Sequence, residues 1–104
     1  MTVRDKMPIE PDFLSHCFNE AVPDDAVVVT ELLSHRVSLD KYLERSQPGL
    51  YMRSFGGLGQ GLPNAIGMKV AMPDRLVVAA LGDGSFFYNP VISCYGLCQE
   101  YDLP

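Results

Sequence analysis

Two short apolar runs with no polar interruption constrain this chain more than any other feature. Ala26-Val27-Val28-Val29-Thr30 is dense in β-branched residues, and Leu76-Val77-Val78-Ala79-Ala80-Leu81 is wholly apolar. A strand with one wet face alternates polar and apolar residues. A strand without alternation is covered on both faces, as in a parallel sheet flanked by helices. The intervening segments read as those helices. Phe13, Leu14, Cys17, Phe18 and Ala21 recur at 3–4 spacing and predict an amphipathic helix over residues 10–21, with Pro11 in its first turn. Leu62, Ala65, Ile66, Lys69 and Val70 mark a second helix, with Pro63 at its start, Lys69 at its margin and Pro73-Asp74 as its stop. Asn89-Pro90 reads as the N-cap and first position of a third, carried by Val91, Cys94, Tyr95 and Cys98 to about residue 101. Residues 34–45 read as partly helical, Gln47-Pro48-Gly49 breaks them, and residues 50–53 suit a short strand. The expected fold class is therefore α/β: a mainly parallel sheet with flanking helices.

Composition narrows the functional classes. The 104 residues are 47% hydrophobic and 20% charged, which is globular and argues against disorder. The formal net charge of −5 argues against a nucleic-acid or anionic-membrane partner. No apolar run reaches the length of a membrane span, and the polar N-terminus has no signal-peptide core. Cys17, Cys94 and Cys98 are odd in number and form no CxxC, so reduced thiols in a cytoplasmic protein are expected. Cys94 and Cys98 share a helix face and read as packing residues rather than zinc ligands. Residues 1–8 read as an arm or linker and residues 9–104 as one unit. The third helix ends at Asp102-Leu103-Pro104, where a further parallel strand should follow, so the chain reads as part of a domain truncated before its last strands.

Two glycine-rich segments stand out, Gly56-Gly57-Leu58-Gly59-Gln60-Gly61 and Gly82-Asp83-Gly84-Ser85. Each precedes a helix, and the second follows a buried strand directly. Ligands of open α/β sheets bind at the carboxyl ends of strands, and free backbone N–H groups there favour phosphate. The common nucleotide motifs fail, however. No G-x-G-x-x-G and no G-x-x-x-x-G-K-[ST] can be read, and no G-x-S-x-G surrounds Ser85. Asp83 at a strand tip between glycines reads either as an ordinary Asp-Gly turn or as one ligand of Mg²⁺, which takes one or two protein oxygens plus phosphates and waters.

The run from Gly56 through Leu62-Pro63-Asn64-Ala65-Ile66-Gly67, followed by the strand and Gly82-Asp83-Gly84-Ser85, strongly resembles the thiamine-diphosphate-binding domain of the acetolactate synthase, pyruvate decarboxylase and benzoylformate decarboxylase superfamily. Val29-Thr30-Glu31 resembles the strand-end glutamate segment of the decarboxylase branch, and Gln47-Pro48-Gly49-Leu50-Tyr51 its Pro-Gly-Ser-Tyr-like stretch. The resemblance covers roughly residues 9–104. It implies thiamine diphosphate and Mg²⁺ as cofactors, a 2-oxo acid or aldehyde as substrate, and decarboxylation or carboligation as the reaction. By position it makes Asp83 the metal ligand. Gly82, Gly84 and Ser85 would hold the diphosphate, Leu58 would prop the bent cofactor, and Gly56 would offer a carbonyl to the aminopyrimidine. Ser34 and His35 fall where the family touches the diphosphate, although Leu32-Leu33 departs from the Ser/Thr-rich pattern. Glu31 stays open between a structural and a site role.

The resemblance also implies what these residues lack. The second metal ligand, an asparagine after the next strand, cannot lie here, since only 20 residues follow Gly84 and Asn89 comes too early. The activating glutamate is expected on a partner domain, so no catalytic residue is assigned in this chain. A homo-oligomer with the site between subunits follows from that. Alone, the chain should be inactive. The alternative is a non-catalytic binding or assembly module derived from the same family. An unrelated nucleotide binder is disfavoured by the motif failures.

Overall fold

The computed structural model describes residues 3–54 and 56–104; residues 1 and 2 of the expected arm lie outside them. After a 3-10 turn at Val3–Asp5, the order is α1 (Pro11–Ala21), β1 (Val27–Glu31), α2 (Arg36–Tyr42), β2 (Tyr51–Arg53), α3 (Gly61–Ala71), β3 (Val77–Leu81), α4 (Asp83–Tyr88) and α5 (Val91–Glu100). The strands form one sheet in the order β2-β1-β3, with both pairings parallel. The register sets Val28 beside Tyr51 and runs from Val27 beside Val77 to Glu31 beside Leu81.

The unbroken Val27-Val28-Val29 run forms the central strand, and all three residues are fully buried. Each valine contributes roughly 1.5–3 kcal/mol by leaving water. Alternation along the strand feeds two layers. Val27 and Val29 pack with Leu50 and Ala65, and Met68, Met72, Val77 and Ala79 close around them, so this face belongs to α3. α1 packs on α2, and the Lys41 ammonium donates to Asp12 at 2.9 Å across that pair. The Arg75 guanidinium donates to the Asp25 carbonyl at 2.8 Å, tying the loop before β1 to the loop before β3.

β3 is only half-buried throughout, because it is paired on one side alone among the described residues. Beside it an apolar groove of about 260 Å³ runs between α3 and α5, lined by Ile66, Val77, Ala79, Tyr95 and Leu103 among others. Lys69 lies at the margin of its helix, as its position in the repeat predicts, and its ammonium donates to the carbonyls of Pro73 and Arg75 at 2.8 Å.

After β3 the short helix α4 opens at Asp83, which the sequence reading does not mark as a separate element. One local expectation is corrected. Asn89 does not cap α5, whose N-cap is Pro90 with no side-chain cap bond. The Asn89 carboxamide turns inward instead. There it bonds the buried Glu31 carboxylate and Ser85 carbonyl and the part-buried Leu62 N–H.

Candidate cofactor site

The strand order reverses direction at β1. The chain leaves β1 toward β2 on one side, then returns across the sheet to β3 on the other. Loops from adjacent strands therefore diverge at the carboxyl ends of β1 and β3, which is where open α/β sheets hold ligands. A cleft of about 180 Å³ lies there, lined by Leu32, Leu33, Ser34 and His35 after β1 and by Gly82, Asp83, Gly84 and Ser85 after β3. Six of the residues singled out from the sequence meet in it: Ser34, His35, Gly82, Asp83, Gly84 and Ser85.

Gly82 is the hinge of the second wall. Its backbone is extended (φ −67°, ψ 152°) as the N-cap of α4, and its N–H donates to the Glu31 carbonyl at 3.1 Å. That bond fixes the departure of the chain from β3 against the end of β1. The first N–H groups of a helix have no intrahelical acceptor, and no side chain caps them here. Asp83 and Gly84 are exposed, whereas Ser85 is buried at the base of the turn. A Cβ at Gly84 would meet no atom within 4 Å, so the wall is open at that point. The donor set is hydroxyl, imidazole and backbone N–H, with one exposed carboxylate at the rim. That set fits an anionic oxygen ligand accompanied by a hard cation. Among the described residues no three His, Cys, Asp or Glu side chains gather as a metal cluster. A Mg²⁺ ion bound chiefly by phosphates and water needs no such cluster.

Gly56 and Leu58 are not part of this lining. They belong to the loop before α3, where Gly56 has φ +92° and Leu58 is 37% exposed. Glu31 holds that loop. Its Oε1 accepts from the N–H groups of Gly59 and Gln60, both at 2.9 Å, and of Gly61 at 3.3 Å. The amides at the start of α3 are thus committed to Glu31 and do not face the cleft. Glu31 Oε2 accepts from Asn89 Nδ2 at 2.7 Å. The same Nδ2 donates to the Ser85 carbonyl at 2.8 Å, and Asn89 Oδ1 accepts from the Leu62 N–H at 2.9 Å. A buried carboxylate is costly unless fully hydrogen-bonded, and this one is.

Sequence reasoning missed this arrangement, although a signal existed. A carboxylate closing an apolar strand buried on both faces must find donors, and the nearest candidates are glycine-rich backbone and side-chain amides. The role left open for Glu31 is thereby answered in its structural half.

The cysteines carry no such geometry. Cys17 is exposed, Cys94 buried and Cys98 half-buried, and all three are free thiols. Burial, and then the neighbouring Cys98, push the Cys94 thiol above its ordinary range. No helix among the described residues is long and apolar enough to cross a membrane.

Comparison with known proteins matches residues 34–104 to the family described as "Thiamine pyrophosphate enzyme, C-terminal TPP binding domain". The chain is 34% identical over 98 residues to benzoylformate decarboxylase of Pseudomonas aeruginosa, covering 93% of this chain and 18% of that protein. It is 38% identical over 84 residues to the acetolactate synthase isozyme 2 large subunit of Escherichia coli, covering 79% of this chain and 15% of that one. Among solved structures, the thiamine diphosphate-dependent 4-hydroxybenzoylformate decarboxylase of Rhodococcus jostii RHA1 superposes with a TM-score of 0.82 at 35% identity, covering 92% of this chain and 18% of that one. The chain thus spans less than a fifth of the length of these relatives.

Proposed function

This chain belongs to the thiamine pyrophosphate enzymes, as their C-terminal TPP-binding domain, and on that premise we propose that it holds the diphosphate and Mg²⁺ of thiamine diphosphate for decarboxylation or carboligation of a 2-oxo acid. The observation that carries this reading is the cleft at the strand-order reversal, lined by Ser34 and His35 on one wall and by residues 82–85 on the other.

Each wall has its own task. The Asp83 carboxylate, exposed at the rim, offers Mg²⁺ one anionic oxygen. The N–H groups of Gly84 and Ser85, with the Ser34 hydroxyl and His35 imidazole opposite, donate to diphosphate oxygens. Leu58, from the other glycine loop, would support the bound cofactor, and the Gly56 carbonyl would accept from its aminopyrimidine. When bound, the cofactor supplies an electron sink for the bond made or broken beside the substrate carbonyl. Apolar Leu32 and Leu33 help keep water from the cleft. No residue of this chain takes the activating acid's part, so a glutamate from a partner domain, in a homo-oligomer, completes the site. The relatives named for benzoylformate decarboxylation and acetolactate synthesis support 2-oxo acids as the substrate class. The free thiols fit a cytoplasmic setting.

Calorimetric titration of the complete protein with thiamine diphosphate in Mg²⁺ buffer tests the reading. Losing a group that only orients a metal ligand costs about 10–100-fold, so Asp83→Asn should weaken binding at least tenfold. Equal affinity in the variant would take Asp83 out of the site.

A further inference from the structure

We propose that Glu31 and Asn89 act as one polar brace that couples the two glycine loops, making them positioning residues for the cleft although neither lines it. Only the cofactor arm of the test below rests on the function proposed above.

Glu31 is 5% and Asn89 6% exposed, so their polar atoms have no access to water as an alternative partner. Through Oε1, Glu31 gathers the amides of Gly59, Gln60 and Gly61; through Oε2 it accepts from Asn89 at 2.7 Å. Asn89 in turn grips the Ser85 carbonyl on the cleft wall and the Leu62 N–H at the start of α3. Six donor–acceptor contacts thus pass through two side chains, and they link residues 59–62 to residues 85–89. The main chain of Glu31 adds a seventh by accepting from Gly82. The packing leaves no slack around this brace. A Cβ at Gly61 would lie 2.5 Å from Leu81 Cδ2 and 2.9 Å from Glu31 Cβ. Loosening either side chain therefore frees both loops together, because each buried polar group keeps its partner only while the other stays in register.

Glu31→Gln separates the brace from simple capping. Gln Oε1 can still accept from the three amides, but its Nε2 now faces Asn89 Nδ2, donor against donor. Adding Asn89→Asp restores a donor–acceptor pair between the two side chains, while setting the new carboxylate against the Ser85 carbonyl. Amide hydrogen exchange of the complete protein reads the result without any cofactor. Glu31→Gln should accelerate exchange about tenfold both at residues 59–62 and at residues 84–86. The double variant should return the first segment to wild-type rates and the second only partly. Asn89→Ala, which creates no donor–donor contact, should loosen both segments as well and serves if Glu31→Gln does not fold. Acceleration confined to residues 59–62, or a lower melting temperature without local change, overturns the brace.

In calorimetric titration with thiamine diphosphate and Mg²⁺, Glu31→Gln should weaken binding about tenfold. Val27→Ala, at the far end of β1, should destabilise the fold without changing that affinity. Equal losses in the two variants, or no loss in Glu31→Gln, overturn the proposal. If the wild-type protein does not bind the cofactor at all, coupled acceleration in Glu31→Gln sustains the brace and overturns the function proposed above.

Discussion

Replacing Gly59 with alanine should damage this fold more than any other single methyl group added at a glycine, and the size of the effect can be worked from two separate costs. Gly59 has φ +101°, a conformation that an L side chain rarely adopts. Holding alanine there costs about 1–3 kcal/mol. The added Cβ would also lie 2.5 Å from the Tyr88 carbonyl oxygen, nearly an ångström inside ordinary contact. Tyr88 ends α4, and the next residue, Asn89, is fixed by its bonds to Glu31, Ser85 and Leu62, so the carbonyl has little room to retreat. Overpacking of this kind costs about 1–3 kcal/mol more. The total, about 2–6 kcal/mol, is a large share of a typical domain's stability. Gly67 supplies the contrast. It lies within α3, is exposed, and a Cβ there would meet nothing within 4 Å. Alanine at Gly67 should therefore stabilise by about 0.5–1 kcal/mol through backbone entropy alone. Urea unfolding monitored by far-UV circular dichroism measures both, with a shifted midpoint at constant slope as the signature. Shifts of the same sign in the two variants, or a Gly59→Ala loss below about 0.5 kcal/mol, would refute the close approach of the first glycine loop to α4.

Leu58, 37% exposed, is only partly covered, so Leu58→Ala should cost about 1 kcal/mol of stability, yet slow turnover of the complete enzyme more than it weakens cofactor affinity; steady-state kinetics at saturating cofactor would expose the reverse. Val28→Ala removes two fully buried methyl groups and should cost about 1–3 kcal/mol in urea unfolding. The Lys41 hydrogen bond, with smaller help from Ser38 and Tyr42, holds the Asp12 carboxyl below its usual 3.8. Its stabilisation is therefore present above the unfolded carboxylate range and lost as pH falls through the lowered value. Asp12→Asn should accordingly flatten the acid limb of stability between about pH 5 and 2, a change that melting curves across that range would register.

The α/β class was legible in the residues themselves. Ala26-Val27-Val28-Val29-Thr30 suits a strand covered on both faces, as in a parallel sheet, and the helical spacings at Phe13-Leu14-Cys17-Phe18 and Leu62-Ala65-Ile66 supply the cover. The observed β1, β3, α1 and α3 lie where those patterns set them, to within a residue or two. The glycine segments were equally legible as breaks ahead of helices: residues 56–60 lead into α3 and Gly82 into α4. Strand order was not legible, since parallel pairing is decided by which face each crossover helix covers and no local pattern carries that. The cleft depended on it: Ser34 and His35 meet residues 82–85 only because β3 pairs with β1 on the side away from β2. The same holds for Asn89. In sequence it is an N-cap beside a proline; in the fold it is a buried amide serving a carboxylate 58 positions earlier. Local propensity ranks a residue by what its neighbours in the chain offer. A buried charge ranks it by what lies within hydrogen-bond reach, and that distance exists only after the strands have assembled.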